Sequence, residues 1–499
     1  MKRFLLPILS IFFILWIGVV LYPYFKVHYS YLALFLSKNH PLDKLYIFFV
    51  LALFSYVLGR RIFLLFRFKF YSLLEEFVFA SGVGWMVSAY GMMILFIISC
   101  KCPWWKYNWI LILIVFLLFI RELLLIVRIF RAKIKSILEL KFTPFSIILW
   151  FLLGTTVFFT LIMALTPLQP SAFSLQPSLV LQGDSKLLHF YFGILTIMGM
   201  FALIKRHFHP DSGLLASCIF YISSLVIFLS GTARGELGLT FYELLAVYSL
   251  LCWVTSNKIS WFVLMTSCIG FTFANNYQAL TRQASYCLIG VIPIIFYRCL
   301  VVNKEWVSRY CKRAEEQKNR SLLLFRSSAL LLLLCLIGLF FLIILPWHVL
   351  ALRNPVAFSN LENPVLSPIY LLCLPLFILI LKETPTVKYL FSYIVIQLLL
   401  WFYIKIEILP VLMLSAILIS HLIYNLKYTR LKKVLLCVIT GFFILTFSYE
   451  AYVIFNYRAP LKFIYGLEKA EDYIARNIDI DFSPNLPFQR LQRGFQEDK

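Results

Sequence analysis

Residues 238–255 read GLTFYELLAVYSLLCWVT, an apolar run interrupted by one carboxylate, Glu243. A helix needs about 20 consecutive, mostly apolar residues to cross the hydrocarbon core of a bilayer. The run follows a very short polar turn, GTARGE at 231–236, and that turn follows a second apolar stretch at 213–231. Apolar runs separated by short polar turns predict transmembrane helices.

The composition of the whole chain supports this interpretation. Of its 499 residues, 62% are hydrophobic and 14% are charged, whereas soluble proteins are about 45–50% apolar and about 25% charged. A soluble fold cannot bury so much apolar surface, since even a domain of roughly 300 residues buries only about 75% of what its unfolded chain exposes. Soluble enzymes, secreted disulfide scaffolds and disordered chains are therefore excluded as classes for the whole chain.

Marking every such run predicts an all-α, polytopic transmembrane bundle with about fifteen spans. The predicted spans are 4–22, 45–58, 74–98, 107–127, 145–166, 188–204, 213–231, 238–255, 259–274, 284–300, 322–346, 365–381, 387–404, 406–424 and 434–455. The segments on the side of the N-terminus hold 26 basic residues, and the loops on the other side hold 10 before the tail. Because Lys and Arg are enriched in cytoplasmic loops, we expect a cytoplasmic N-terminus and an extracytoplasmic tail, 457–499.

The charge and the cysteines favour no special chemistry. We assign the net charge of +23 to membrane orientation and anionic headgroups rather than to nucleic acid. The eleven cysteines include no CxxC pair and no Cys/His cluster with metal-ligand spacing, so most are interpreted as small packing residues. No metal site is predicted, although a divalent cation remains a possible cofactor.

Intramembrane carboxylates are costly and each needs a reason. Glu236 and Glu243 are seven residues apart, which places them on one helix face about 10 Å apart, and Arg234 precedes them. At the outer edge of the membrane, Glu236 could act as a base, a metal ligand or a group close to a phosphate. The alternative is a helix-start carboxylate that binds free N–H groups. For Glu243 the alternative is an interhelical hydrogen bond.

Two outer loops hold further candidates. Asp184 and His189 flank the start of a predicted span, where Asp184 also fits a helix N-cap and His189 an interfacial histidine. In the loop 347–364, His348 and Arg353 follow Trp347, and Arg353 could face a lipid phosphate. On the cytoplasmic side, Glu75, Glu76 and Glu383 are interpreted as surface charges.

The order of these motifs resembles the GT-C superfamily of bacterial inner-membrane glycosyltransferases, which use polyprenyl-phosphate-linked sugars. The resemblance extends from about Phe145 to Arg476. It is carried by Thr166-Pro167, Lys186 to Arg206, Gly231 to Tyr242, Pro346-Trp347 with Arg353-Asn354-Pro355, Leu409-Pro410-Val411-Leu412, and Gly466-Leu467-Glu468 with Tyr473-Ile474-Ala475-Arg476. Glu236 falls where that family has an Asp. The Thr-Lys-Tyr turn of the family appears here as Asn275-Asn276-Tyr277, and the first carboxylate after Thr166-Pro167 is Asp184.

The resemblance implies a division of the chain into a transmembrane extension of about four spans at 1–144, a GT-C-like core at 145–456 and the extracytoplasmic tail. It implies transfer of a sugar from a polyprenyl-phosphate donor to a cell-envelope acceptor, with membrane lipids as the other partners. The catalytic residues would be Glu236 and Asp184. The substrate-binding residues would be Arg234, Glu243, His189, Asn276, Tyr277, His348 and Arg353.

Two alternatives stay open at the level of sequence. The first is a catalytically inactive GT-C-like membrane subunit or lipid-sugar binder. The second is a transporter or flippase for lipid-linked sugars, which should have Gly- or Pro-broken helices at corresponding positions of two halves. No such symmetry is visible in this sequence, so the transporter is the weaker alternative.

The topology generates a testable prediction. Reporter domains fused in the loop 301–321 and after the tail should lie on opposite sides of the membrane, because five predicted spans, an odd number, separate this loop from the tail. Protease protection and a periplasm-specific reporter enzyme would both measure this. Two fusions on the same side would contradict the odd number of spans.

Overall fold

The computed structural model of this chain describes residues 40–99, 143–165, 185–209, 211–230, 236–275, 291–292, 294, 368–404, 408–427 and 429–452. Within these ranges the secondary structure is helical, without strands, so the predicted all-α fold is confirmed for this part of the chain. The helices are α1 (His40–Leu65), α2 (Leu73–Ser99), α3 (Pro144–Ala164), α4 (Ser185–His207), α5 (Ser212–Tyr221), α6 (Ser224–Ser230), α7 (Glu236–Ser256), α8 (Ile259–Asn275), α9 (Pro368–Leu372), a 3-10 helix (Leu374–Lys382), α10 (Pro385–Ile404), α11 (Leu409–Asn425) and α12 (Thr429–Tyr452).

Five of these helices, α3, α4, α7, α10 and α12, are long and apolar enough to cross a membrane. This agrees with the prediction of an integral membrane protein with several transmembrane helices. Helices α5, α8 and α11 are apolar but shorter. The predicted spans 4–22, 107–127 and 322–346, most of 284–300, and the tail lie outside the described residues.

Two predicted spans are not continuous α-helices. The stretch 213–231 is divided into α5 and α6 at Ser223, whose hydroxyl donates a hydrogen bond to the Phe220 carbonyl oxygen at 2.7 Å. Local bonds of this kind compete with the helical hydrogen-bond ladder. The stretch 365–381 consists of α9 and the 3-10 helix. There Pro375 has no N–H with which to continue the ladder of α9.

Helix α7 lies at the centre of the described bundle. Its residues 236–254 are all buried, so neither lipid nor water surrounds it. Interhelical hydrogen bonds join it to three neighbouring helices. Tyr242 Oη donates to the Gly82 carbonyl of α2 at 2.9 Å, Tyr248 Oη donates to the Ala202 carbonyl of α4 at 3.0 Å, and Tyr393 Oη of α10 donates to Glu243 at 2.7 Å.

Helices α1 and α2 form a hairpin whose backbones approach very closely. A Cβ atom added to Gly84 would overlap the carbonyl oxygen of Ser55, and one added to Gly59 would overlap the carbonyl oxygen of Ala80. Each helix therefore has two small residues four positions apart at the contact, which are Ser55 and Gly59 in α1 and Ala80 and Gly84 in α2. Such pairs let transmembrane helices pack backbone to backbone.

This contact predicts that a Gly→Ala substitution affects stability in opposite directions at a glycine inside the contact and at one outside it. Gly84→Ala should destabilise the protein by about 1–3 kcal/mol, because overpacking forces the two backbones apart. Gly154→Ala in α3 is the control, since a Cβ there meets nothing within 4 Å. It should be neutral or stabilising by up to about 1 kcal/mol, the helix-propensity gain of Ala over Gly. Thermal unfolding in detergent measures both, and equal midpoints would contradict the close contact.

Candidate functional site

Helices α4 and α7 lie side by side and run in the same direction. Gly199 packs against Leu244, Tyr248 Oη binds the Ala202 carbonyl, and His207 Nε2 lies 3.5 Å from Cys252 Sγ. Each pair joins positions that differ by 45 or 46 in the sequence. This register places residue 191 of α4 level with Glu236, the first residue of α7. The two N-terminal ends therefore lie together, and we call this the Glu236 end of the bundle.

Three ionisable side chains are buried at the Glu236 end. Glu236, Lys186 and His189 expose 8%, 4% and 8% of their surfaces. By the register of the two helices, His189 lies within one turn of the level of Glu236, and Lys186 within two turns. A carboxylate, a basic side chain and an imidazole are thus gathered at one end of a helix pair. Such groups can exchange protons with a hydroxyl and balance the charge of a phosphate.

Glu236 occupies the helix start that the sequence predicts. It is the first residue of α7, where the aligned peptide dipoles favour a negative charge. The Thr240 hydroxyl donates to the Glu236 backbone carbonyl at 2.7 Å, within the first turn. This position is compatible with both interpretations of Glu236, as a carboxylate that stabilises the helix start and as a group that takes part in the chemistry.

Glu243 lies two turns deeper, about 10 Å from Glu236 along the helix axis. It is fully buried, and its Oε1 accepts the hydrogen bond from Tyr393 Oη. The interhelical hydrogen bond, one of the two interpretations of Glu243, is therefore present. Its assignment to substrate binding stays a prediction.

The other candidate residues lie outside the described residues. These are Asp184, Arg234, Asn276, Tyr277, His348 and Arg353. Within the part of the chain that is described, no group of three or more His, Cys, Asp and Glu side chains could hold a metal ion. The described candidates are thus Glu236, His189 and Glu243, and Lys186 joins them although it was not among the site residues predicted from the sequence.

A second polar cluster lies at the opposite end of α4, which we call the Arg206 end. Arg206 forms an ion pair with Glu75, the third residue of α2. The carboxylate of Glu75 also accepts a hydrogen bond from the backbone N–H of Tyr71 at 2.8 Å. The Arg206 guanidinium lies over the Trp261 ring, 4.8 Å from its centroid. This cluster joins α2, α4 and α8.

The interpretation of Glu75 as a surface charge was wrong, because Glu75 is fully buried. Its neighbour Glu76 forms a separate ion pair with Arg60 of α1, with 2.7 Å between Nε and Oε1. The sequence did contain a signal, since Glu75 and Arg206 both lie at ends of predicted spans on the same side. Hydropathy gives no information on which ends touch, so the pairing could not be predicted.

A third polar group belongs to the same end of the bundle. His421 Nε2 of α11 lies 3.4 Å from Glu383 Oε2, and Asn425 Nδ2 lies 3.0 Å from the same histidine nitrogen. The Glu383 side chain is only 18% exposed, so it too is more buried than a surface charge. The contact joins α11 to the segment between the 3-10 helix and α10.

Known proteins provide no family assignment for this chain. No protein-family model, no characterised protein and no solved structure matches it. Function is therefore inferred from the described side chains and from the motifs in the sequence.

The Arg206–Glu75 ion pair predicts a large loss of stability on substitution of one partner, which substitution of the other partner should reverse. Arg206→Met should destabilise the protein by about 3–5 kcal/mol, because it leaves the buried Glu75 carboxylate without its cation. Adding Glu75→Leu to that variant should restore most of the lost stability, since an apolar pair of similar volume can replace a buried ion pair. Thermal unfolding in detergent measures both variants. If the double variant were no more stable than Arg206→Met, Arg206 would not act mainly through its ion pair with Glu75.

Proposed function

We propose that this chain is a membrane glycosyltransferase of GT-C-like architecture with about fifteen spans. It would act in a bacterial inner membrane with its N-terminus in the cytoplasm. It moves a sugar from a polyprenyl-phosphate donor to a cell-envelope acceptor at the outer face. The observation that carries this proposal is the buried Glu236 carboxylate at the first residue of α7, in register with Lys186 and His189 on α4.

In the proposed reaction, Glu236 removes the proton from an acceptor hydroxyl. The resulting oxygen attacks the anomeric carbon of the donor sugar, and the bond from that carbon to the phosphate oxygen breaks. The lipid phosphate leaves with the electron pair, and Glu236 retains the proton until water accepts it. A positioned general base of this kind contributes about 10²–10⁴-fold to the rate.

Lys186 fits the other half of the reaction. Negative charge develops on the lipid phosphate as it leaves, and a fixed cation compensates that charge more strongly in a water-poor site than in bulk water. Lys186 is only 4% exposed and lies in the first turn of α4, level with the start of α7 to within two turns. Lys186 is the first residue of an apolar stretch long enough to cross a membrane, and a polyprenyl-phosphate donor presents its phosphate at the boundary between hydrocarbon and water.

The remaining assignments belong to the proposal. Asp184 precedes α4 and is the second catalytic carboxylate. Contacts to sugar and phosphate come from Arg234, His189, Glu243, Asn276, Tyr277, His348 and Arg353. Of these, His189 and Glu243 lie in the described helices, and His189 is the one at the Glu236 end.

The proposal predicts that Glu236→Gln lowers sugar transfer by at least about 100-fold, since Gln keeps the volume but cannot accept the proton. Transfer is measured in membranes from a radiolabelled pool of polyprenyl-phosphate sugars. Glu450→Gln is the control. It removes a carboxylate near the C-terminal end of α12 and should leave the rate unchanged.

Both variants should express and purify as the unmodified protein does. Transfer at the unmodified rate by Glu236→Gln would remove Glu236 from the mechanism. Absence of transfer by the unmodified chain itself, with retention of the labelled lipid, would instead support the inactive lipid-sugar binder.

A further inference from the structure

A cavity of about 310 Å³ lies at the turn between α1 and α2, at the Arg206 end of the bundle. Its walls include Arg60, Ser72 and Glu76, together with Phe63 and Phe70. Cavities that bind small ligands have volumes of about 300–1,000 Å³, so this one can hold a group the size of a phosphodiester headgroup. It lies far from Glu236, at the opposite end of the helices.

The shape of the cavity is fixed by aromatic packing. The Phe63, Phe68 and Phe70 rings contact one another with centroids 4.9–5.2 Å apart. Phe68 also lies 4.7 Å from Trp261 of α8, the ring that carries Arg206 on its face. The turn is therefore held against the core, and these ring contacts fix the position of the cavity wall.

Arg67 occupies an unfavourable backbone conformation in this turn. Its φ is +52°, in the left-handed region where glycine is the favoured residue and other L-residues are strained. The hydrogen bonds from Arg67 N to Leu64 O and from Phe68 N to Phe63 O form the Schellman motif that commonly ends a helix with glycine. An arginine in the glycine position is strained and its side chain is exposed, which points to a use for that side chain.

The surface around the cavity combines positive charge with exposed apolar residues. Arg61, Arg67 and Lys69 are exposed, and Arg60 lies in the cavity wall, where its Nε binds Glu76. The exposed apolar side chains of the same turn include Leu65 at 79% and Phe66 at 73%. Basic residues beside apolar ones at the end of transmembrane helices are typical of contact with anionic lipid.

From this arrangement we propose that the cavity binds the headgroup of an anionic phospholipid. The phosphodiester lies against the Arg60 side of the cavity, and its acyl chains extend over Leu65 and Phe66. Arg61, Arg67 and Lys69 attract the headgroup without needing to touch it, since charges act over about 8–10 Å at physiological ionic strength. This site does not depend on the proposed transferase reaction.

The test is a titration of the purified full-length protein in neutral detergent, read by native mass spectrometry. The probes are phosphatidylglycerol, phosphatidylcholine and inorganic phosphate. Phosphatidylglycerol should bind saturably, and the other two should neither bind comparably nor displace it. Equal binding of phosphatidylcholine would overturn the proposal. If inorganic phosphate displaced phosphatidylglycerol, the ligand of the cavity would be a soluble anion and not a lipid.

Variants separate the cavity from general surface charge. Arg67→Gly should keep the fold, because glycine fits the left-handed position, and should weaken phosphatidylglycerol binding about fivefold. Lys69→Gln tests the same charge effect at a position with ordinary backbone, with a similar loss. Arg430→Gln removes an exposed cation of α12 at the same end and should bind as the unmodified protein does.

The decisive variant keeps the net charge. Arg60→Gln with Glu76→Gln replaces the ion pair by two amides and should weaken binding about tenfold, because a charge-assisted bond to phosphate is lost. Unchanged affinity in this double variant would show that the lipid does not occupy the cavity. If Arg430→Gln lost as much affinity for phosphatidylglycerol as Arg67→Gly, the binding would be a non-specific attraction to surface charge.

Discussion

The burial of α7 over residues 236–254 is the constraint on which the rest of the described structure depends. Because an unpaired polar group in this environment costs several kcal/mol, the larger polar side chains of the helix bond to protein partners. The hydroxyls of Tyr242 and Tyr248 do so by binding backbone carbonyls of α2 and α4. Glu243 does so by accepting a hydrogen bond from Tyr393 of α10. These bonds fix both the rotation and the height of α7 relative to its neighbours.

At the Arg206 end, two adjacent carboxylates of α2 form ion pairs with two different helices. Glu75 binds Arg206 of α4, and Glu76 binds Arg60 of α1. Burying such pairs adds little net stability, since the loss of hydration offsets most of the attraction. Their effect is on geometry, because a shifted helix would leave a buried charge without its partner. The α1–α2 hairpin is thereby held at one position on the core.

Hydropathy predicted the long helices well, because apolar length is the property that the bilayer selects. The predicted span 238–255 lies within α7 at Glu236–Ser256, and 145–166 nearly coincides with α3 at Pro144–Ala164. It missed the breaks near Ser223 and Pro375, since local hydrogen bonding and a missing N–H leave average hydropathy unchanged. It also missed the burial of Glu75 and Lys186. Burial of a charged residue depends on which helix ends meet, and that information is not contained in one span.

The two ends of the bundle are linked through the α4–α7 pair. The contacts of Tyr248 with Ala202 and of His207 with Cys252 set the axial register of the two helices near the Arg206 end. The same register fixes the height of Lys186 and His189 relative to Glu236 at the other end, because helices transmit an axial shift along their whole length. A slip of one turn would move these groups by about 5.4 Å. A misplacement of about 1 Å can cost an enzyme about 100-fold in rate, so the proposed reaction requires the register set by contacts at the distant end.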